Sequence, residues 1–403
     1  MAASAGASLL RGFVVAMVVS PPAFTTYVST VALGAFFAAF LSFGLIESTT
    51  KQFPRISVSG NPAALLGLSN RVVATLSARA AICLLLLVLV VGITDRSQLA
   101  WFASALLIAY AASVTSVIAS LQRALFNSLH LALSAVSRAL VSLALVVGGA
   151  FYFGLAGALG AEIVAALLGG FLSRVIAKKT LGANASTALG SAADAGSTGI
   201  RAERGLTLFA AYAALSVPFY LDRVYVSSVF SAPESAAYAL TTLFLTAASV
   251  LVNIVCQKIG PELIGQEKLG VPLPSLIRTA GKWSGFTIIA WILFIGSAAA
   301  LTAQGWIPQA LAKYAVTVDL FFVVGLLGCV QISSLFEFIL LARDQERRLL
   351  TAAIAYLLLV AMIAAGAALA KLALVNFVAL LALAKLLYLV SLLWSLYRPN
   401  PVR

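Results

Sequence analysis

The sequence predicts an all-α polytopic membrane protein of about twelve transmembrane helices, arranged as two pseudo-symmetric six-helix bundles. Three observations carry this prediction. The 403 residues are 62% hydrophobic and only 10% charged, with a mean hydropathy of +1.06, whereas soluble domains carry about 25% charged residues. Apolar runs recur from end to end, each long enough to cross a hydrocarbon core of about 30 Å. A polar, small-residue stretch at 180–205 divides these runs six and six.

The first span is placed at 3–20. Gly12–Val19 has the look of a signal-peptide core, but only Ser20, Pro21 and Pro22 follow it, without an A-x-A cleavage pattern, so it reads as an uncleaved span that holds Arg11. Spans two to six are placed at 25–46, 72–92, 99–122, 130–152 and 155–174. The fourth carries Ser113, Ser116, Ser120, Arg123 and Asn127 on one helical face, and the fifth carries Ser134, Arg138 and Ser142 in similar register. The sixth holds Glu162 among Ala, Gly and Leu, and Gly154, Gly157 and Gly160 read as close helix packing. The chain thus divides into an N-terminal lobe (1–179), a flexible linker (180–205) and a C-terminal lobe (206–403).

Spans seven to twelve are placed at 206–230, 236–256, 283–303, 315–341, 349–370 and 373–397. The seventh contains FYLDRVYVSSVF, Phe219–Phe230, which sets Asp222 beside Arg223, and Pro218 should bend it. The tenth carries Glu337 and the twelfth Lys385. Charges at this depth are expensive and mark pathway or coupling roles by default. For Arg123 and Arg223 a second reading stays open, that each snorkels toward an interface. Glu47, Lys51 and Arg55 read as a solvated ladder, and His130, the one histidine, as interfacial.

An internal repeat supports two lobes. Pro22 and Tyr27 correspond to Pro233 and Tyr238 at an offset of 211, and Lys51 and Pro54 to Lys258 and Pro261 at 207. Ser120-Leu121 corresponds to Ser334-Leu335 at 214. At these offsets Arg11 aligns with Asp222 and Arg123 with Glu337, a base in one lobe for an acid in the other. Parallel repeats of this kind are related by an axis along the membrane normal, and their substrate sites lie at the repeat interface. The first span starts short of its counterpart, as if trimmed.

The absent chemistry narrows the function. There is no GxxxxGK[ST] loop, and Cys83, Cys256 and Cys329 lie scattered within spans, so neither ATPase, metal site nor disulfide framework is expected. One histidine and short outer connections argue against a membrane-embedded glycosyl- or acyltransferase and for a transporter. The basic excess, 26 against 13, follows membrane topology rather than nucleic acid.

Leu221–Tyr225 followed by Pro233–Tyr238 resembles the seventh-to-eighth span segment of the polysaccharide flippases of the MOP superfamily, the Wzx-like group. Phe43-Gly44-Leu45 resembles the end of that group's second span, and Gly154–Ala158 the start of its sixth. The resemblance implies a V-shaped transporter in a bacterial cytoplasmic (inner) membrane. It would move undecaprenyl-pyrophosphate-linked oligosaccharide to the outer leaflet by alternating access, for export of a surface polysaccharide. Membrane lipids, a polysaccharide polymerase and glycosyltransferases would be its partners. Arg11, Arg123, Arg138 and Arg223 would then bind the anionic head, since the guanidinium fork suits pyrophosphate. Glu162, Asp222, Glu337 and Lys385 would serve coupling or charge pairing, and no cofactor is expected beyond a coupling proton or sodium ion. For Glu162 two roles stand open, proton carrier or salt-bridge partner of Arg138. An ion-coupled multidrug exporter of the same superfamily is the rival reading.

With a cytoplasmic N-terminus, eighteen Lys and Arg fall on inner connections and the tail, against Arg96, Lys313 and Lys371 outside. Both termini and the linker are therefore expected on the cytoplasmic side. A single cysteine at Ser191, in a cysteine-free background, should resist membrane-impermeant thiol reagents in intact cells. Rapid labelling there would reverse the topology.

Overall fold

The computed structural model describes residues 2–46, 48–49, 53, 62–94, 96–124, 128–181, 206–305 and 309–398. The linker 180–205 beyond Leu181, together with Glu47, Lys51, Pro54 and Arg55, lies outside these, as do the side chains of Arg123 and His130. In hydrocarbon, backbone polar groups must be satisfied within the segment, which leaves helices as the means of crossing for such a chain. Among the described residues there are twelve long helices once the pair at 128–181 is divided at Gly154, and nine stretches of them are long and apolar enough to cross a membrane. The twelve are α1 (Ala2–Val18), α2 (Pro21–Ser42), α3 (Pro62–Thr94), α4 (Arg96–Ala124), α5 (128–153) and α6 (155–181). Then come α7 (Leu206–Val229), α8 (Ala232–Lys268), α9 (Leu273–Ala303), α10 (Val318–Ala342), α11 (Glu346–Ala370) and α12 (Leu374–Tyr397). A 3₁₀ turn at Val330–Ile332 interrupts α10.

Three helices exceed their predicted spans. α3 begins at Pro62 rather than 72, α9 at Leu273 rather than 283, and α8 runs to Lys268 rather than 256. Hydropathy locates only the part of a helix that lies in hydrocarbon. The intrahelical hydrogen bonds of its polar extension need no apolar side chain.

Contacts divide the chain into two compact units, Met1–Val19 with Thr26–Phe209, and Ser20–Thr25 with Ala210–Arg403. In the first, α4 packs on α3 and on the α5–α6 pair, which also packs on α1. Leu65, Leu76, Val117 and Leu121 form part of its buried apolar core. In the second, α10 packs on α8, α9 and α12, and α11 packs on α12. Tyr238, Val324, Phe377 and Val378 lie in its core.

The α5–α6 pair is a helical hairpin with no loop. Gly154 takes φ 60°, ψ −139°, a conformation that a residue with a Cβ rarely adopts, and the chain reverses there. Gly149 and Gly157 then meet backbone to backbone. Farther down the same ladder Gly169 lies on Arg138, and Ser134 is 2.5 Å from Ser173, hydroxyl to hydroxyl. Of the glycines expected to mark close packing, Gly157 does so, Gly154 makes the turn, and Gly160 faces open space. Phe151, Tyr152 and Phe153 stand exposed just before the reversal. The predicted topology puts them at the outer interface, which aromatic side chains favour.

The α7–α8 turn explains one of the sequence motifs. Glu234 accepts from the Ser231 backbone N–H (3.1 Å) and hydroxyl (2.6 Å), the return contact of a capping box. Ser235 Oγ donates to Val226 O at 3.0 Å and ties α8 back to α7.

Gly157→Ala should lower the stability of the detergent-solubilised protein by about 1–3 kcal/mol, because the methyl group meets the Gly149 backbone. Gly160→Ala, three residues along the same helix, should be neutral or slightly stabilising. Equal melting temperatures for the two variants would contradict the hairpin.

Candidate functional site

Helix α1 carries Arg11 and the hairpin brings Ser142 and Glu162 to it. Arg11 Nη1 donates to Glu162 Oε1 (2.8 Å) and to Ser142 Oγ (2.5 Å). Tyr27 on α2 donates its hydroxyl to Glu162 Oε2 at 3.2 Å. Four helices are thus joined at one carboxylate that is 9% exposed. The expected Glu162–Arg138 salt bridge is not formed, since Glu162 belongs to Arg11.

Arg138 on α5 is the contrasting cation. Its aliphatic stem lies over Gly169 of α6, where a Cβ would come within 2.6 Å of Cγ. Its Nε is buried without a hydrogen-bond partner. Among the described residues no carboxylate forms an ion pair with it. A guanidinium held this way has donors left for an anion.

In the second unit, Asp222 and Arg223 neutralise one another on α7. Asp222 Oδ1 accepts from the Arg223 backbone N–H (2.8 Å) and lies 3.6 Å from its Nη1. Oδ2 accepts from the Tyr238 hydroxyl at 2.5 Å. Arg223 Nη1 also donates to Phe219 O at 3.0 Å, and the guanidinium lies 5.9 Å from the Phe219 ring centre. Both residues are 8% exposed, so Arg223 is buried against its own helix and does not snorkel. Beside Asp222 and Pro218 opens a cavity of about 320 Å³ between α7, α11 and α12, and Asp222 is its one charged wall residue.

A second polar cluster joins α10, α11 and α12. The Tyr388 hydroxyl donates to Glu337 Oε1 at 3.0 Å. Lys385 Nζ lies 4.5 Å from the Tyr388 ring centre and 5.0 Å from that of Tyr356. Glu337 and Lys385 are 5% and 7% exposed.

The predicted site residues therefore separate into four groups. Arg11 with Glu162 and Arg223 with Asp222 are internal pairs. Glu337 and Lys385 share one cluster, Arg138 stands apart, and the Arg123 side chain is outside the description. The polar stripes serve in part to join helix to helix: Ser113 donates to Ala38 O of α2 at 3.5 Å, Ser134 meets Ser173 of α6, and Ser142 accepts from Arg11 of α1. Other stripe serines turn back on their own helix. Ser116, Ser216 and Ser227 donate to carbonyls of their own helices, Ala112 O, Ala213 O and Val224 O, which satisfies each hydroxyl locally. The sequence reading did not assign Tyr27, Tyr238, Tyr356 and Tyr388 to the site. Tyr27 and Tyr238 share the offset of 211 that aligns Arg11 with Asp222, so the repeat already contained the signal. Tyr388 follows Lys385 by three residues, on one helix face. Nothing in the sequence pointed to Tyr356.

No protein-family profile matches the chain, and no curated protein matches it in sequence. Solved structures do match. The lipid II flippase MurJ, in an inward closed conformation, aligns over 97% of this chain and 85% of its own, with a TM-score of 0.66 at 11% identity. A multidrug resistance MATE family transporter of the MOP superfamily, in an inward-facing conformation, aligns over 96% and 92%, with a TM-score of 0.53 at 15% identity. The chain shares its fold with these two proteins, a flippase and a transporter. The resemblance drawn from Leu221–Tyr225 and Pro233–Tyr238 named a superfamily to which the second of these neighbours belongs.

Removing one partner of a buried ion pair leaves an uncompensated charge and costs about 3–5 kcal/mol. Glu162→Gln should therefore destabilise strongly, and Arg11→Gln added to it should recover most of the loss. Arg138→Gln added to Glu162→Gln should recover nothing. Thermal melts of the single and double variants decide between the partners.

Proposed function

We propose that the chain moves undecaprenyl-pyrophosphate-linked oligosaccharide from the inner to the outer leaflet of a bacterial cytoplasmic membrane, by alternating access, for export of a surface polysaccharide. Arg138 carries this reading. Its guanidinium is held in place by a glycine neighbour and left without a carboxylate, and its fork fits the paired oxygens of a pyrophosphate. A hydrated, anionic head must cross about 30 Å of hydrocarbon, and a preformed cation replaces hydration that the head gives up. The fold shared with a lipid II flippase accords with a lipid-linked substrate. The membrane lipids, the polymerase and the glycosyltransferases of the same pathway are its proposed partners.

Of the four arginines first assigned to the head, the reading keeps Arg138. Arg11 and Arg223 are secondary, because an incoming anion must displace Glu162 or Asp222 to reach them. Coupling is assigned to Glu162, by a proton or sodium ion: neutralising this carboxylate releases Arg11. The rival reading, an ion-coupled exporter of small amphipathic compounds, rests on the likeness to the MATE transporter and the apolar wall of the cavity at Pro218.

In proteoliposomes, Arg138→Ala should cut flipping of the lipid-linked sugar at least tenfold, the scale of one charge-assisted hydrogen bond. Arg138→Lys should restore part of it. Flipping by Arg138→Ala at the parent rate would remove Arg138 from the mechanism. Export of a cationic dye without any flipping by the parent would favour the rival.

A further inference from the structure

Lys385 presents the same problem as Arg138, in the second unit. It is 7% exposed and comes from the middle of α12. Its ammonium rests against two tyrosine rings, Tyr388 at 4.5 Å and Tyr356 at 5.0 Å, which themselves lie 5.2 Å apart. Cation–π attraction positions an ammonium without using its N–H donors. Among the described residues no hydrogen bond reaches Nζ. Glu337, the carboxylate of the cluster, accepts from Tyr388 instead and forms no ion pair with Lys385 within 4.0 Å. It balances the charge from a distance and leaves three donors unspent.

Three arginines of this unit behave differently. Arg223 is spent on Asp222 and Phe219 O, and Arg343 and Arg348 donate to the carbonyls of Leu396 and Ser395. An ammonium that is buried, fixed by aromatic faces and rich in unspent donors is costly in a membrane protein unless a ligand uses it.

We propose that Lys385, cradled by Tyr356 and Tyr388, is an oxyanion-binding site of the second unit, which receives a phosphate or sugar carboxylate of the transported head group. This assignment rests on the flippase reading and moves Lys385 from coupling to substrate recognition. Tyr356 and Tyr388 act as positioning residues.

The test measures binding by the full chain in nanodiscs. One probe is undecaprenyl pyrophosphate, and a second is the same lipid bearing a uronic-acid disaccharide. Lys385→Gln should weaken at least one probe about tenfold, the scale of a charge-assisted hydrogen bond, and Lys385→Arg should retain most of the affinity. Loss with both probes identifies the phosphate, and loss with the second alone the carboxylate. The double variant Glu337→Gln/Lys385→Gln removes both charges. If Lys385 served only to balance Glu337, the double variant would regain the stability and the affinity of the parent, which overturns the proposal. If it binds the oxyanion, stability returns and affinity does not. Arg138→Gln separates the two readings. Weak binding by that variant, with parent affinity in Lys385→Gln, would sink this site and leave the flippase reading standing. Parent affinity in both would sink both.

Discussion

The rest of this structure depends on one constraint: a charge at membrane depth needs an opposite charge or a set of donors and acceptors, because water is not there to supply them. The chain meets it by different means at different cations. Arg11 and Arg223 have carboxylates within their own units, each bonded in turn by a tyrosine. Arg138 and Lys385 have none in contact, and are held by a glycine groove and by aromatic faces. The proposed passage of an anionic head group accounts for this division. A cation that is fully neutralised stabilises the fold but offers a substrate little. One that is left open costs stability and is worth keeping only where an anion comes.

The internal repeat shows how the paired class arose in two forms. Arg11 and Asp222 occupy equivalent places, as do Tyr27 and Tyr238. In both units the tyrosine bonds a carboxylate, but the carboxylate comes from α6 in the first and from α7 itself in the second. The first arrangement clamps α1, α2, α5 and α6 together. The second joins only α7 to α8, so α7 faces α11 and α12 across an apolar cavity with no polar tie at Asp222, and Tyr225 supplies one farther along by donating to Ala364 O at 2.6 Å. One tyrosine–carboxylate contact therefore makes two different mechanical connections. Pro218, which withholds a backbone donor at the level of the cavity, adds to the difference.

Membrane class and the succession of long helices were legible because each rests on composition averaged over about twenty residues, where chance has little weight. The place of the reversal was also legible, as the two-residue gap between spans five and six, although Gly154 itself was read as packing rather than as the turn. Helix ends were less so, since hydropathy is silent on polar extensions such as the end of α8. Pairing was the least legible. The sequence reading paired Glu162 with Arg138, and only the register of the hairpin decides that it meets Arg11. Serine stripes were legible in part: Ser113, Ser134 and Ser142 do reach neighbouring helices, but a helix can also satisfy a hydroxyl from its own carbonyls, as at Ser116, so periodicity alone does not separate the two.

That register also explains why the glycines and the charges belong to one device. Gly149 and Gly157 let α5 and α6 approach to backbone contact just inside the turn. Close approach at the turn keeps the two helices in step, so Ser142 and Glu162 arrive together at Arg11. Farther along the same ladder Gly169 leaves room for the Arg138 stem. The Cβ, Cγ and Cδ atoms of the side chain lie against that glycine. Larger residues at Gly149 or Gly157 would part the helices and loosen the Arg11 clamp, and one at Gly169 would turn Arg138 aside. The paired cation and the open one are thus set by the same three glycines, and the electrostatics of the first unit follow from the closeness of two backbones.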